Sequence, residues 1–195
     1  MGSEAERIVE AGQFLVSRGW APAGSGNYSA RRADGEIAIT VSGAHKARLT
    51  RDEVMTIDAE GRARDGRRPS AEAALHLAIY RLFPHVRAVL HTHSIPAVVL
   101  SRKIGPTLHL AGYELLKAFP GVDSHEAAID LPVFDNSQDM DALAARVSAE
   151  LTARPAPAFL IRDHGLYGWG ETMDEALRVV EAAETLIACE LELTR

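Results

Sequence analysis

The chain has 195 residues, of which 47% are hydrophobic and 25% are charged, and its formal net charge is −6. This length and composition indicate one soluble globular domain over residues 1–195, with enough apolar residues for a substantial core. The acidic balance argues against a nucleic-acid-binding protein, which would carry a basic stripe.

Neither a membrane span nor an export signal is indicated by the sequence. No run approaches the roughly 18 consecutive apolar residues that a membrane span needs, and the first six residues are too acidic for a signal peptide. Cys189 is the single cysteine, so no disulfide can form within the chain, as is typical of a reducing compartment. We expect a cytoplasmic protein with no membrane partner.

The first elements are indicated by capping and turn signals. Ser3 and Glu6 form a capping-box pattern that predicts a helix over residues 3–18. A glycine-rich turn then leads into a strand that ends near residue 31, and residues 36–41 have the pattern of a second strand. The Asp-Gly pair at positions 34 and 35 predicts a hairpin between these strands. A short third strand is predicted over residues 54–57.

Two loops in this first part of the chain carry groups that can bind phosphate. Backbone N–H groups at glycines, hydroxyl or amide side chains and an ammonium group are the usual phosphate ligands. The candidates are Gly26, Asn27 and Ser29 in one loop, and Ser42, Gly43 and Lys46 in the other. Neither loop is a Walker or dinucleotide motif. Glycine, serine and asparagine are also the default turn residues, so two purely structural turns remain an alternative interpretation.

A second helix is predicted after Pro69. Ser70 is the expected N-cap, an apolar stripe follows at helical spacing, and Pro84 ends the helix. Glu72 falls in the first turn, where the helix dipole favours a carboxylate with or without a catalytic role.

The most informative stretch is residues 89–94, which alternates apolar residues with His91 and His93. Residues i and i+2 of a strand point to the same face, about 6–7 Å apart, so both imidazoles can reach one metal ion. Two ordinary buried histidines are the alternative, although each would then need its own hydrogen-bond partner.

In the second half of the chain, the sequence pattern predicts short helices alternating with short strands. A short helix is expected over residues 95–101, an extended segment over 108–110, and one or two helical turns around Glu114 over 112–118. The proline at position 132 predicts that the strand at 129–133 lies at a sheet edge. A helix should follow from residue 137 or 139 to residue 151.

The last part of the chain adds a third histidine. A buried strand over residues 158–161 leads to His164 and Gly165, where the imidazole is well placed to enter a site. Residues 167–170 close a hairpin, and Thr172 caps a final helix over 173–193 in which Cys189 packs as a small hydrophobic residue.

Taken together, the strand-borne His91 and His93, the helix-borne Glu72 and the strand-end His164 resemble the class II aldolase/adducin family. The resemblance covers nearly the whole chain. It implies an α/β fold with three α/β/α layers around a mostly antiparallel sheet. It also implies that His91, His93 and His164 bind one divalent metal, that the two small-residue loops bind phosphate, and that a homotetramer places active sites at subunit interfaces.

Zn²⁺ is the expected metal because three imidazoles suit a borderline-soft ion, although another divalent transition metal would also fit. Within the family the chain is most similar to members that dehydrate a ketose 1-phosphate carrying a methylthio group, in methionine salvage. The similarity implies that Glu114 is the catalytic acid/base, whereas sugar-phosphate aldolases lack a glutamate here and rely on the one that matches Glu72. Glu72 would then be either a fourth metal ligand or a partner that orients metal-bound water.

Two other functions remain open from the sequence. One is a class II aldolase or epimerase acting on fuculose, rhamnulose or ribulose phosphate, whose activity would not depend on Glu114. The other is a non-enzymatic, adducin-like interaction domain, which would have no need for the three histidines.

Overall fold

A computed structural model describes residues 2–194, which form one eight-stranded sheet covered by helices on both faces. The strands are β1 (Asn27–Arg31), β2 (Ile37–Thr40), β3 (Val54–Ile57), β4 (Ala88–Thr92), β5 (Thr107–Ala111), β6 (Ala128–Phe134), β7 (Ala158–Ile161) and β8 (Gly165–Gly170). The α-helices are α1 (Glu4–Ser17), α2 (Ala73–Leu82), α3 (Ile95–Lys103), α4 (Met140–Ala153) and α5 (Met173–Leu193).

The strand order across the sheet is β3-β2-β1-β4-β8-β7-β6-β5. Neighbouring strands are antiparallel except β6 and β7, which are parallel. Helices α1, α3 and α5 bury their apolar residues against one face, and α2 and α4 bury theirs against the other. The predicted three-layer fold with a mostly antiparallel sheet is confirmed.

Strand β4 lies near the middle of the sheet, between β1 and β8, and all five of its residues are buried. In the register of this sheet, His91 is opposite Asn27 on β1 and opposite Tyr167 on β8. A histidine in this position has helices above and below it and strands on both sides. Its polar atoms therefore need partners from within the protein.

Two predictions about the elements are wrong. The strand at 129–133 is not an edge strand, because β6 lies between β7 and the edge strand β5. The pairing of β6 with β7 begins at Val133, one residue after Pro132. The proline itself therefore does not have to donate a hydrogen bond to β7.

The second error concerns the start of α2. Ser70 does not cap the helix, which begins at Ala73 with Glu72 in the N-cap position. A β-bridge between Val41 and Pro69 holds the chain extended just before this point, so a turn over residues 70–72 comes first. Glu72 is thus fixed at the junction between a turn and a helix.

Other local predictions are confirmed. The Ser3–Glu6 capping box is formed at α1, the β1–β2 hairpin has its turn over residues 33–35, which include the Asp-Gly pair, and Thr172 caps α5. Cys189 on α5 is half-buried. Among the described residues, no helix is both long and apolar enough to cross a membrane.

Candidate metal centre

Four side chains converge at the end of β4. Single ligand atoms of Glu72, His91, His93 and His164 all lie within 4.8 Å of one another. His91 Nε2 is 3.3 Å from His164 Nε2 and 3.3 Å from Glu72 Oε2, and His164 Nε2 is 2.9 Å from Glu72 Oε1. The structure brings together the three predicted histidine ligands and the predicted Glu72.

These distances fit a metal centre. Two ligand atoms bound to a tetrahedral zinc ion at 2.0–2.1 Å would lie about 3.3 Å apart. The His91–His164 and His91–Glu72 separations have this value. Three imidazoles with one carboxylate are also a donor set that suits zinc and similar divalent transition metals.

The backbone brings the ligands to this point in three different ways. His91 is on β4, while His93 follows the strand end and its N–H donates to the carbonyl oxygen of Trp20 at 2.8 Å. His164 lies in the turn between β7 and β8. Beside it, a Cβ at Gly165 would collide with the carbonyl oxygen of Thr92, so only glycine allows β8 to pack this closely on β4.

The tautomer of His91 is fixed by the backbone. Its Nδ1 atom is 2.9 Å from the carbonyl oxygen of Leu166, which can only accept, so Nδ1 carries the proton and Nε2 faces the cluster with a lone pair. Burial also lowers the pKa of His91 well below its usual value and lowers that of His93 to about 4. Both imidazoles are therefore neutral at pH 7, as metal ligands must be.

Glu72 is the anionic member of the cluster. Burial alone would raise the pKa of its carboxyl, but the neighbouring His91 and His164 lower it below the usual range. Its Oε2 atom accepts hydrogen bonds from the Asn27 amide and, at 3.1 Å, from the Tyr167 hydroxyl. These two donors hold one oxygen and leave Oε1 directed at His164.

A second carboxylate lies behind His93. Glu184 on α5 is 2% exposed and accepts hydrogen bonds from the hydroxyls of Thr92 and Ser94, which flank His93 in the chain. Burial raises the pKa of Glu184 to about 7. The carboxyl group thereby ties the segment that carries His93 to α5.

An open cavity of about 340 Å³ adjoins the cluster at Glu72. Four predicted phosphate-binding residues line it: Gly26, Ser42, Gly43 and Lys46. Lys46 donates to the carbonyl oxygens of Ala44 at 2.5 Å and Gly24 at 3.4 Å, which leaves one N–H of its ammonium without a described partner. Burial lowers the pKa of Lys46, so its charge is poorly solvated and favours an anionic ligand.

The other two predicted phosphate ligands do not line this cavity. Asn27 is 4% exposed and its amide bonds to Glu72 and His76, while Ser29 is 0% exposed and its hydroxyl lies between His76 and Tyr80. Both side chains are enclosed because α2 packs over β1, and phosphate binding by these two residues stays a prediction. Gly26 also has a structural role, since a Cβ there would lie 2.5 Å from the carbonyl oxygen of His91.

Glu114 is not brought to the cluster within one chain. It begins a 3₁₀ turn (Glu114–Ala118) after β5, is 72% exposed, and pairs with Lys117 and, at 3.8 Å, with His125. Strand β5 is four positions away from β4 in the sheet, which is about 19 Å at the usual strand spacing.

Several residues at the site were not identified from the sequence. Ser25 and Ser70 line the cavity, and the hydroxyl of Ser25 is buried with no hydrogen-bond partner among the described residues. Tyr167 and His76 contact Glu72 and Asn27. The polar His76 on an otherwise apolar helix face was the one available signal, because a buried imidazole needs partners.

Comparison with known proteins gives one consistent result. The sequence profile of the Class II Aldolase and Adducin N-terminal domain matches residues 6–191. A methylthioribulose-1-phosphate dehydratase from Marinobacter nauticus is 54% identical over 195 residues, which are 98% of this chain and 94% of that protein. The protein of the same name from Hahella chejuensis is 53% identical with the same coverage, 98% and 94%.

A solved structure with a similar fold is the L-fuculose-1-phosphate aldolase from Thermus thermophilus. It is 28% identical, has a TM-score of 0.74, and is matched over 97% of this chain and 91% of that one.

Proposed function

The chain belongs to the class II aldolase and adducin family, and we propose that it is a lyase that removes water from 5-methylthioribulose 1-phosphate in methionine salvage. The product is 2,3-diketo-5-methylthiopentyl 1-phosphate. The observation that carries this proposal is the His/Glu cluster beside a lysine-lined cavity, in a chain that is 54% identical to a dehydratase for that substrate. The substrate has the two features that this arrangement can bind, a hydroxyketone and a phosphate.

His91, His93 and His164 would hold a zinc ion, with Glu72 either as a fourth ligand or as the group that orients a bound water. The ion supplies Lewis-acid polarisation of the substrate carbonyl. The chain's own contribution is to present the neutral His91 and His93, together with His164 and one anionic carboxylate, from a buried, rigid part of the sheet.

The phosphate would occupy the cavity formed by the loops around Gly26 and Lys46. Support comes from the spare N–H of the Lys46 ammonium, the unpartnered Ser25 hydroxyl and the exposed Ser42–Gly43 turn, which all face the same space. An ammonium and small hydroxyl residues are suited to phosphate oxygens. Glu72 lies between this cavity and the histidines, so a substrate bound by its phosphate extends its carbonyl carbon toward the cluster.

The reaction needs one proton-transfer group, and we assign it to Glu114. Its carboxylate takes the proton from C3, and the electron pair left behind forms the C3–C4 double bond as the C4 hydroxyl leaves. The carboxyl then returns the proton to that hydroxyl, so water is released and the glutamate is regenerated. The enol left on C3 ketonises to give the 2,3-diketone, without any oxidant or reductant.

Because Glu114 lies about four strands from the cluster of its own chain, we propose that it acts in the site of a neighbouring subunit of a homotetramer. Two apolar side chains support such a contact. Ile95, directly after the metal-site segment, is 70% exposed, and Leu115, directly after Glu114, is 39% exposed. Burying both against another subunit would remove apolar surface from water and bring Glu114 to a cluster.

The decisive experiment is product analysis, by NMR and mass spectrometry, of zinc-loaded protein incubated with 5-methylthioribulose 1-phosphate. A product lighter by one water with two adjacent carbonyl carbons is the expected result. Dihydroxyacetone phosphate would instead mean cleavage of the C3–C4 bond, and the protein would then be an aldolase. A zinc-loaded, folded protein that leaves this substrate and the sugar phosphates unchanged would favour a non-enzymatic interaction domain.

A further inference from the structure

A row of buried side chains leads from beneath α2 to the metal centre. The Tyr80 hydroxyl is 2.9 Å from Ser29 Oγ, and Ser29 Oγ is 2.7 Å from His76 Nδ1. His76 Nε2 bonds to the Asn27 side-chain oxygen, and the Asn27 amide nitrogen bonds to Glu72 Oε2. The first four of these residues are at most 4% exposed, so water does not compete for their hydrogen bonds.

The direction of every bond in this row follows from its last member. An ionised carboxylate only accepts hydrogen bonds, so Asn27 must present its NH₂ group to Glu72 and its oxygen to His76. That oxygen needs a donor, so His76 carries its proton on Nε2. Burial lowers the pKa of His76 to about 4, which keeps the ring neutral and leaves Nδ1 as an acceptor.

The remaining two bonds are then determined as well. The Ser29 hydroxyl donates to His76 Nδ1, and the Tyr80 hydroxyl donates to Ser29. All four hydrogen bonds therefore point the same way, toward the carboxylate. In a chain of this kind each bond polarises the next, which strengthens the last one.

We propose that His76, Ser29 and Tyr80 are positioning residues, which act through Asn27 to fix the Glu72 carboxylate in the metal centre. With Asn27 and Tyr167 both donating to Oε2, the carboxylate cannot rotate freely, and Oε1 stays directed at the ligand set. These three side chains neither line the cavity nor belong to the His/Glu cluster, so their effect must pass through Glu72. Their catalytic consequence rests on the proposed function, but their effect on metal binding does not.

The first test compares two substitutions of one residue with a control. His76→Leu removes both ring nitrogens, whereas His76→Gln keeps an N–H donor for Asn27. The control is Leu110→Ala, which opens a cavity in the core at the edge strand β5, far from the row in the sheet. Zinc affinity is measured by competition with a chelator, and the folded fraction of each variant by circular dichroism.

We expect His76→Leu to weaken zinc binding by about 10-fold, the lower end of the effect of losing an outer partner of a metal site. His76→Gln should recover most of this loss. Leu110→Ala should lower the melting temperature without changing zinc affinity. The proposal is wrong if His76→Leu binds zinc as tightly as the wild type, or if Leu110→Ala weakens binding equally.

The second test asks whether the row acts through Glu72. In a Glu72→Ala background, His76→Leu should change zinc affinity less than about two-fold, because the group that it positions is already gone. An undiminished effect of His76→Leu in this background would overturn the proposal. If His76→Leu does not fold, Ser29→Ala and Tyr80→Phe replace it, because each removes a single hydroxyl from the same row. Their zinc affinities are then measured with and without the Glu72→Ala substitution.

Measurements of turnover and of zinc affinity test the proposed function and the role of His76 separately. If the wild type turns over 5-methylthioribulose 1-phosphate, His76→Leu should lower kcat more than it raises KM, since the phosphate cavity is untouched. If the wild type does not turn over this substrate, the function is wrong and the zinc affinities still decide the proposal.

Discussion

His91 donates its Nδ1 hydrogen to the carbonyl oxygen of Leu166 across 2.9 Å, so a backbone group of one strand sets the tautomer of a side chain on the next. Because backbone positions in a paired sheet are rigid, this bond orients His91 Nε2 toward the cluster. A metal ion bound as proposed would meet a ligand that is already oriented, which would avoid much of the ordering cost that a flexible ligand adds to binding.

Loss of one histidine should remove the metal. We expect His93→Ala to lower zinc affinity by more than the roughly 10- to 100-fold that loss of an outer partner costs. Zinc content after dialysis, measured by atomic absorption, checks this. His109→Ala is the matched control, because His109 is exposed and pairs with Asp130 on the sheet edge. Full zinc content in His93→Ala would contradict the assignment of this ligand.

Glu114→Gln should abolish turnover while zinc content stays unchanged, because the substitution removes the proton-transfer group and leaves the ligands in place. A loss of about 100-fold or more is expected from removal of a general acid/base. Glu126→Gln, at an exposed carboxylate in the same part of the chain, should keep wild-type turnover. Turnover retained in Glu114→Gln would make the aldolase or epimerase alternative the better one.

The assignment of Glu114 to a neighbouring subunit can be tested by mixing two inactive variants. In a mixed oligomer of Glu114→Gln and His93→Ala chains, some sites combine an intact ligand set with an intact Glu114 from the other chain. Refolding the two variants together should therefore restore part of the activity. If Glu114 acted within its own chain, no site would be complete and the mixture would stay inactive.

Replacing Lys46 should weaken phosphate binding alone. We expect Lys46→Met to raise KM about 10- to 100-fold, which corresponds to a hydrogen bond from a charged group. Zinc affinity should not change, because Lys46 bonds to backbone carbonyl oxygens of its own loops. Lys103→Met, at an exposed position on α3, should leave KM unchanged. Inorganic phosphate should inhibit the wild type more strongly than Lys46→Met.

The buried Glu184 predicts a slope of stability with pH. Burial raises its pKa from 4.5 to about 7 in the folded protein, so the folded state binds the proton more tightly than the unfolded state. The stability from this group is fully present below about pH 4.5 and is lost as pH rises through about 7, with a total on the order of 3 kcal/mol.

Glu184→Gln should remove this slope, because its amide stays neutral at every pH. The free energy of unfolding of the variant, measured in urea, should approach that of the wild type near pH 4.5 and exceed it above pH 7. Subtracting the two curves cancels the contribution of the histidines. Glu181→Gln, on the exposed side of the same helix, should follow the wild type at all pH values.

The sequence predicted the parts of this site that depend on local periodicity. His91 and His93 alternate with apolar residues, and a strand period of two is enough to place both on one side. His164 and the role of Glu72 came from the resemblance to a family, because no local rule relates residues so far apart in the chain.

What the sequence could not supply depends on long-range packing. Asn27 and Ser29 have the composition of a phosphate loop, but α2 covers them and uses their polar groups for His76 and Glu72. Likewise, Ser70 has the residue type of a helix cap, and only the bridge between Val41 and Pro69 shows why the helix starts later. Both features depend on contacts between distant segments, which residue propensities do not describe.

The strand order has a consequence for when the His/Glu cluster is completed during synthesis of the chain. Strand β1 precedes β4 in the chain and β8 follows it, and His164 enters the cluster 73 residues after His91. A nascent chain that has not yet emerged beyond residue 164 holds at most Glu72, His91 and His93 in place. If the cluster holds a metal as proposed, its ligand set is complete only once His164 has emerged, so an unfinished chain would lack one of the three histidine ligands.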